Sequence, residues 1–367
     1  MRDTIVQARR TSRTLQVGSI CIGGDAPIAV QSMTNTPTTD IDATVAQITR
    51  IAEAGADVVR VSVPDAESAA AMPEIIDQTT IPIIADIHFS YKMALASLDA
   101  GVHGLRLNPG NIGGRSRIER VVAAARERAV SIRIGVNAGS LEKSLYEKYG
   151  EPCADAMVES AMNHIHILED MNFHAIKISL KASNIPMTVL AYRKLATMVD
   201  YPLHLGITES GSRFAGSIKS AIGLGLLLVD GIGDTIRVSL AAEPEEEVRV
   251  GFEILKSMGL RHRGVNLIAC PSCARQKFAV IEVVSELENR LSHIKESLDV
   301  AVIGCVVNGP GEAQEVALGI TGGYPIHTLY CDGAKAGKVK SANIIDILVE
   351  EVETRAAVIR AQSMVDC

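Results

Sequence analysis

Three cysteines and a set of arginines carry the chemistry this chain offers. Cys270 and Cys273 form a Cys-x-x-Cys pair in ACPSCARQ, and Cys305 follows in IGCVVNGPGE. A lone Cys-x-x-Cys serves redox disulfides, zinc knuckles and iron–sulfur ligation alike. A zinc ribbon would need a second such pair some way downstream, and none follows. Gly304, Gly309 and Gly311 free the backbone to wrap a bulky group and to turn amides toward sulfides. Three thiolates would leave one iron of a cubane [4Fe–4S] cluster open, and Glu312 is placed to fill that position reversibly. A structural zinc site on the three cysteines stays open as the alternative. Cys21, Cys153, Cys331 and Cys367 lack such surroundings and read as ordinary thiols.

The second constellation is cationic. Eight short β-branched runs end in polar residues: 28–33, 58–63, 83–88, 104–109, 131–137, 175–181, 202–209 and 235–240. Their tips bring Arg60, Asp86 and His88, Arg106 and Asn108, Arg133 and Asn137, Lys177, Ser179 and Lys181, His204, Glu209, and Arg237 with Ser239. Four arginines and a lysine gathered at one place repel each other unless an anion sits among them. Arginine meets phosphate oxygens two at a time, so an oligophosphate is the economical ligand. For any one arginine, an ion pair with a neighbouring carboxylate explains it as well. Glu209 is a candidate proton donor or acceptor, or else a spectator partner of an arginine. His88 and His204 are ambiguous, and His164 and His166 read as structural or surface residues.

The elements that must position these residues alternate strand with helix, as in parallel βαβ units. Eight units predict a (β/α)8 TIM barrel over residues 1–260, with the chemistry at the C-terminal strand ends; a doubly wound open sheet competes. The wide interval between Asn137 and Ala175 holds SLEKSLYEKYGEP, expected to be an extra lobe or lid at the barrel mouth. Residues 261–367 predict a small α+β domain carrying the cluster. The 367 residues suffice for both, and with 3% aromatics and no Trp the core must be aliphatic. A net charge of −7 argues against nucleic-acid or membrane binding. No signal peptide or membrane-length apolar run is visible, so a soluble cytoplasmic protein is expected.

These segments resemble the 4-hydroxy-3-methylbut-2-enyl diphosphate synthase family of the methylerythritol phosphate route to isoprenoids. IAVQSMTNTPTTD, ADIHFSYKMAL, LRLNPGNIG, IRIGVNAGSLEK, LHLGITESG, GIGDTIRVSL, ACPSCARQ and IGCVVNGPGEA carry the resemblance. It implies the shorter bacterial form and covers nearly the whole chain, fitting poorly only beyond Gly323. It implies reductive ring opening and dehydration of 2-C-methyl-erythritol 2,4-cyclodiphosphate by two electrons. The [4Fe–4S] ligands would be Cys270, Cys273, Cys305 and Glu312. The diphosphate would meet Arg60, His88, Arg106, Arg133, Lys177, Arg237 and Ser239, with Asn108, Asn137 and Ser179 beside them. Glu209 would be the acid, and Asn308 would lie near cluster and substrate. The implied partners are flavodoxin or ferredoxin as electron donor, and a second copy, each cluster domain closing over the other chain's barrel. Pterin-dependent transferases share the barrel and an anion site, but have no use for the cysteine module.

Overall fold

The computed structural model describes residues 5–365, with side chains to residue 362; Cys367 lies outside the described residues. Two compact units divide at Arg261 and His262.

The first unit opens with a hairpin, β1 (Leu15–Val17) and β2 (Ile20–Ile22). Eight parallel strands follow: β3 (Ala29–Met33), β4 (Val58–Ser62), β5 (Ile83–Asp86), β6 (Gly104–Arg106), β7 (Ser131–Asn137), β8 (Ile176–Lys181), β9 (His204–Leu205) and β10 (Thr235–Ile236). Their order is β8-β7-β6-β5-β4-β3-β10-β9, and a parallel bridge from Ile178 to Leu203 joins the two ends into a nearly closed barrel. That bridge excludes the open-sheet alternative.

Alternation explains both faces of the wall. In β7, Ile132, Ile134 and Val136 pack outward under the helices, while Arg133, Gly135 and Asn137 face the cleft inside. The covering helices are α1 (Ile41–Ala54), α2 (Ala66–Asp77), α3 (Tyr91–Asp99), α4 (Arg115–Glu127), α5 (Lys143–Tyr149), α6 (Ala154–Glu169), α7 (Ile185–Ala196), α8 (Arg213–Val229) and α9 (Pro244–Ser257). Asp40, Asp65, Ser90, Asn184 and Ser212 cap their helices by accepting an amide of the first turn.

The run at 202–209 narrows to a two-residue strand beside the closing bridge at Leu203, and the run at 235–240 also narrows to a two-residue strand. Beyond them the chain leaves the ladder to build the mouth, where Ser210 Oγ donates to the carbonyl of Ser239 at 2.5 Å. The expected lobe after Asn137 is a single short helix, α5. Glu142, just before it, stands 2.9 Å from His164 Nε2 and accepts from Ser160 Oγ at 3.0 Å. The hydrogen bond from His164 holds the Glu142 carboxyl down at about 2. His164 is therefore structural.

The second unit is a five-stranded sheet of β11 (Val265–Ala269), β12 (Leu298–Ile303), β13 (Leu318–Thr321), β14 (Ile326–Cys331) and β15 (Ala334–Lys340), in that order. The first three run parallel, and β13, β14 and β15 form an antiparallel meander. Its helices are α10 (Val280–Arg290), α11 (Gly309–Gln314) and α12 (Ile344–Val365). Leu287 of α10 and Leu348 and Val352 of α12 share an aliphatic core with Val300, Val302 and Ile320. Among the described residues no helix is long and apolar enough to cross a membrane.

Candidate functional site: a cationic barrel mouth and a thiol-bearing sheet

A cleft of about 620 Å³ opens at the C-terminal ends of the barrel strands. It is lined by Arg60, His88, Arg106, Arg133, Asn137, Ser179, Glu209, Arg237 and Ser239, all singled out from sequence. Asp86, Lys181, Thr208, Ser210 and Glu247 join them.

Two expected residues stand elsewhere. Asn108 does not line the cleft, because both ends of its amide clamp one backbone unit: Nδ2 donates to Gly135 O at 3.0 Å and Oδ1 accepts from Gly135 N–H at 2.8 Å. Lys177 is 1% exposed and lies in the barrel interior, outside the lining. Lys181, two alternations further toward the strand end, is the lysine that borders the cleft. Spacing shows that both lysines share a face, but not which of them reaches the mouth. Glu247 was missed because it comes from a helix, α9; its one signal was the acidic run Glu245–Glu247 at that helix start.

Four arginines, Lys181 and His88 line the cleft against three carboxylates, and the pairing is uneven. Asp86 stands 3.5 Å from Arg60, 3.3 Å from Arg106 and 3.8 Å from His88 Nε2. Burial alone would raise its pKa, but Arg60 and Arg106 hold it below the usual carboxylate range. Burial pulls Arg60 down to about 10, against the opposing pull of Asp86. Arg106 also donates to Gly135 O at 3.1 Å, and a Cβ on Gly135 would lie 2.6 Å from its Nε. Glycine there makes room for the guanidinium.

Arg133 donates from Nη1 to Ser179 Oγ at 2.8 Å, while its Nε and Nη2 meet no partner among the described residues. Burial, with Arg60 and Arg106 nearby, lowers its pKa strongly, and Lys181 is lowered in the same way. Lys177 falls to about 7, through burial first and Arg133 second, and its Nζ has no hydrogen-bond partner among the described residues. His204 is fully buried, bonded through Nδ1 to Thr235 Oγ1 at 2.7 Å, and held neutral by burial and the surrounding cations. It is a core residue beneath the site.

Glu209 lies exposed at the rim, in the left-handed region at φ 48°. Such a backbone at a residue with a side chain costs roughly 1 kcal/mol or more, which marks a position held by its surroundings.

In the second unit, Cys270 follows β11 and Cys305 lies just past β12, at matching ends of two paired parallel strands. Cys270 N–H donates to Val302 O at 3.3 Å, and Gly304 N–H points to Cys270 Sγ at 3.2 Å. Cys273 is exposed, and the backbone amide of Arg275 leads in lowering its thiol pKa. A Cβ on Gly322 would lie 1.9 Å from Gly304 O and 3.0 Å from Cys305 N, so the chain around Cys305 closes onto bare backbone. Asn308, the residue before α11, and Glu312, in its first turn, are both exposed. Among the described residues no three His, Cys, Asp or Glu side chains converge tightly enough to enclose a metal ion. The donors nonetheless suit an iron–sulfur group: free thiols at two strand ends, with backbone amides already directed at sulfur.

A parallel barrel with an anion-seeking mouth, joined in one chain to a thiol-bearing mixed sheet, defines a class of two-part barrel enzymes. The GcpE TIM-barrel domain matches residues 12–252, and the GcpE protein C-terminal domain matches 266–354, so the stretch beyond Gly323 is family sequence as far as residue 354. A Magnetococcus marinus protein called 4-hydroxy-3-methylbut-2-en-1-yl diphosphate synthase (flavodoxin) is 62% identical over 98% of this chain and 96% of its own. A Rhodospirillum rubrum protein of the same name is 58% identical over 96% and 94%. The chain belongs to this family of 4-hydroxy-3-methylbut-2-en-1-yl diphosphate synthases. The HPPK-DHPS of Plasmodium falciparum, solved with pterin and p-hydrobenzoate, overlays 68% of this chain and 50% of its own at TM-score 0.50 and 11% identity, which shows a shared barrel fold alone.

Proposed function

We propose that this chain opens 2-C-methyl-erythritol 2,4-cyclodiphosphate reductively to 4-hydroxy-3-methylbut-2-enyl diphosphate, the product for which its relatives are named. The observation that carries the reading is a barrel mouth where four arginines and Lys181 face three carboxylates and Arg133 keeps two buried nitrogens without a partner among the described residues, in a chain of this family. In the reaction two electrons enter, a ring C–O bond to the diphosphate breaks, and a hydroxyl takes a proton and leaves as water.

Arg60, Arg106, Arg133, Lys181 and Arg237 hold the diphosphate oxygens, with His88, Asn137, Ser179 and Ser239 orienting it. Lys177 lies below this set and supports it at longer range, and Asn108 fixes the Gly135 backbone on which Arg106 leans. Glu209 is the acid that delivers a proton to the departing hydroxyl. Cys270, Cys273, Cys305 and Glu312 would hold a [4Fe–4S] cluster, with Asn308 beside it. When bound, the cluster supplies single electrons and Lewis-acid assistance to C–O cleavage.

The electron donor is flavodoxin, by the names of the relatives, with ferredoxin as the substitute. The active assembly is a homodimer in which the second unit of one copy covers the barrel of the other; sedimentation of the anaerobic protein as a monomer would remove that part of the reading. The decisive experiment is anaerobic turnover of the cyclic diphosphate with a reduced one-electron donor, alongside metal analysis. About four irons per chain are expected, lost in Cys305→Ser. One zinc without iron, or no product from iron-loaded protein, would overturn the proposal.

A further inference from the structure

Glu247 enters the barrel mouth from a helix, not from a strand end. It follows Pro244, Glu245 and Glu246 in the first turn of α9. Successive helical residues point about 100° apart, so the three neighbouring carboxylates take different directions. Glu245 reaches Arg50 at 2.5 Å and Glu246 reaches Arg213 at 2.9 Å, both arginines being exposed. Glu247 turns inward and is 5% exposed.

Both of its oxygens are engaged. Oε2 accepts from Arg237 Nε at 3.2 Å and from Ser32 Oγ at 3.1 Å; Oε1 accepts from Arg237 Nη2 at 3.2 Å and from Leu240 N–H at 3.1 Å. Arg237 is thereby gripped along one edge, fork to fork. Its other nitrogen, Nη1, is left with the sulfur of Met33 at 3.7 Å. The other cleft arginines are held differently. Arg60 and Arg106 share Asp86, and Arg133 leans on the Ser179 hydroxyl.

A carboxylate beside an anion site weakens the attraction for the ligand, so its presence needs a compensating role. We propose that Glu247 is a positioning residue: it fixes the plane of Arg237 and, through the Leu240 amide, the turn after it, presenting Arg237 Nη1 and Ser239 to a diphosphate in a preset geometry. Donors already immobilised before binding need not be ordered by the ligand. The inference rests on the reading of this mouth as a diphosphate site.

Calorimetric titration of the full-length protein with inorganic pyrophosphate tests it. Glu247→Gln keeps the volume but turns an amide toward the donors of Arg237. Affinity is expected to fall about tenfold, and by at least as much in Arg237→Met. The double variant should bind no more weakly than Arg237→Met alone, because Glu247 acts through Arg237. Ser32→Ala, which removes the hydroxyl shared by Glu247 Oε2 and Pro244 O and keeps the charge, should weaken binding two- to threefold, as an order of magnitude. Tighter pyrophosphate binding by Glu247→Gln would reduce Glu247 to a charge balance and overturn the proposal. Additive losses in the double variant would overturn it too. A wild type that binds no pyrophosphate sinks the diphosphate reading together with the inference; a wild type that binds, with additive variants, sinks the inference alone.

Discussion

Arg133 donates to Ser179 across two neighbouring barrel strands at 2.8 Å, and the rest of its guanidinium is buried without a partner among the described residues. An uncompensated buried charge destabilises the protein that carries it, and a bound anion relieves the strain. Arg133→Met should therefore melt no lower than wild type when no anion is present. Wild type should gain several degrees with saturating pyrophosphate, and the variant should lose most of that gain. A variant that melts lower but keeps its full response would show that Arg133 is a structural pillar, not an anion ligand.

Lys177 gives a prediction in pH. Its folded pKa of about 7 lies below the ordinary lysine value of 10.5. Between these values the unfolded chain holds a proton that the folded protein has released, so stability rises with pH across that window. The penalty is full below pH 7 and fades as pH climbs toward 10.5. One such group contributes a slope of about 1.4 kcal/mol per pH unit. Denaturant titrations from pH 7 to 9.5 should show a rise that Lys177→Met abolishes. A diphosphate bound above Lys177 should restore its proton, so binding near pH 8 should take up protons, measurable by calorimetry in buffers of different ionisation heat.

Glu209 separates stability from turnover. Its φ of 48° suits glycine better than any residue with a Cβ. Glu209→Gly is expected to stabilise the barrel by about 1 kcal/mol while reducing turnover at least a hundredfold, an order-of-magnitude figure for a lost general acid. Glu209→Gln should lose turnover alone, with pyrophosphate affinity unchanged. Near-normal turnover of the Gln variant would remove Glu209 from the chemistry.

The chain around Cys305 has its own test. In Gly322→Ala the new methyl would lie 1.9 Å from the Gly304 carbonyl, so the backbone leading to Cys305 must move. The second unit should lose about 1–3 kcal/mol, and anaerobic preparations should retain less iron. Pyrophosphate affinity should match wild type. Full iron retention would show that the approach at Gly322 does not set the position of Cys305.

The barrel was legible because each strand is a short β-branched run with polar residues at its C-terminal tip, and because alternation sorts Ile132, Ile134 and Val136 from Arg133, Gly135 and Asn137. Height along a strand was not legible. Lys177 and Lys181 obey the same alternation, and only the tilt and stagger of neighbouring strands decide which borders the cleft. Asn108 is similar: at a strand tip, sequence does not show that its amide clamps the backbone of Gly135 on the next strand. Glu247 was hidden because helix residues follow a different period, and one inward carboxylate in a run of three carries no mark. The β14–β15 hairpin also escaped notice, since AKAGKVK on β15 is a largely exposed strand without an apolar alternation.

Cys270 and Cys305 owe their proximity to the lateral pairing of β11 with β12, in which Ala269 stands opposite Val302. The stretch between them, including α10, only has to return the chain to the start of the next strand. The spacing of the thiols along the backbone is thus decoupled from their spacing in space. An insertion in the turn after α10, or a permutation opened there, would leave the sulfur geometry intact, so the pair behaves as a portable module. In comparing distant sequences, the diagnostic is two strands ending in cysteine, whatever number of residues separates them.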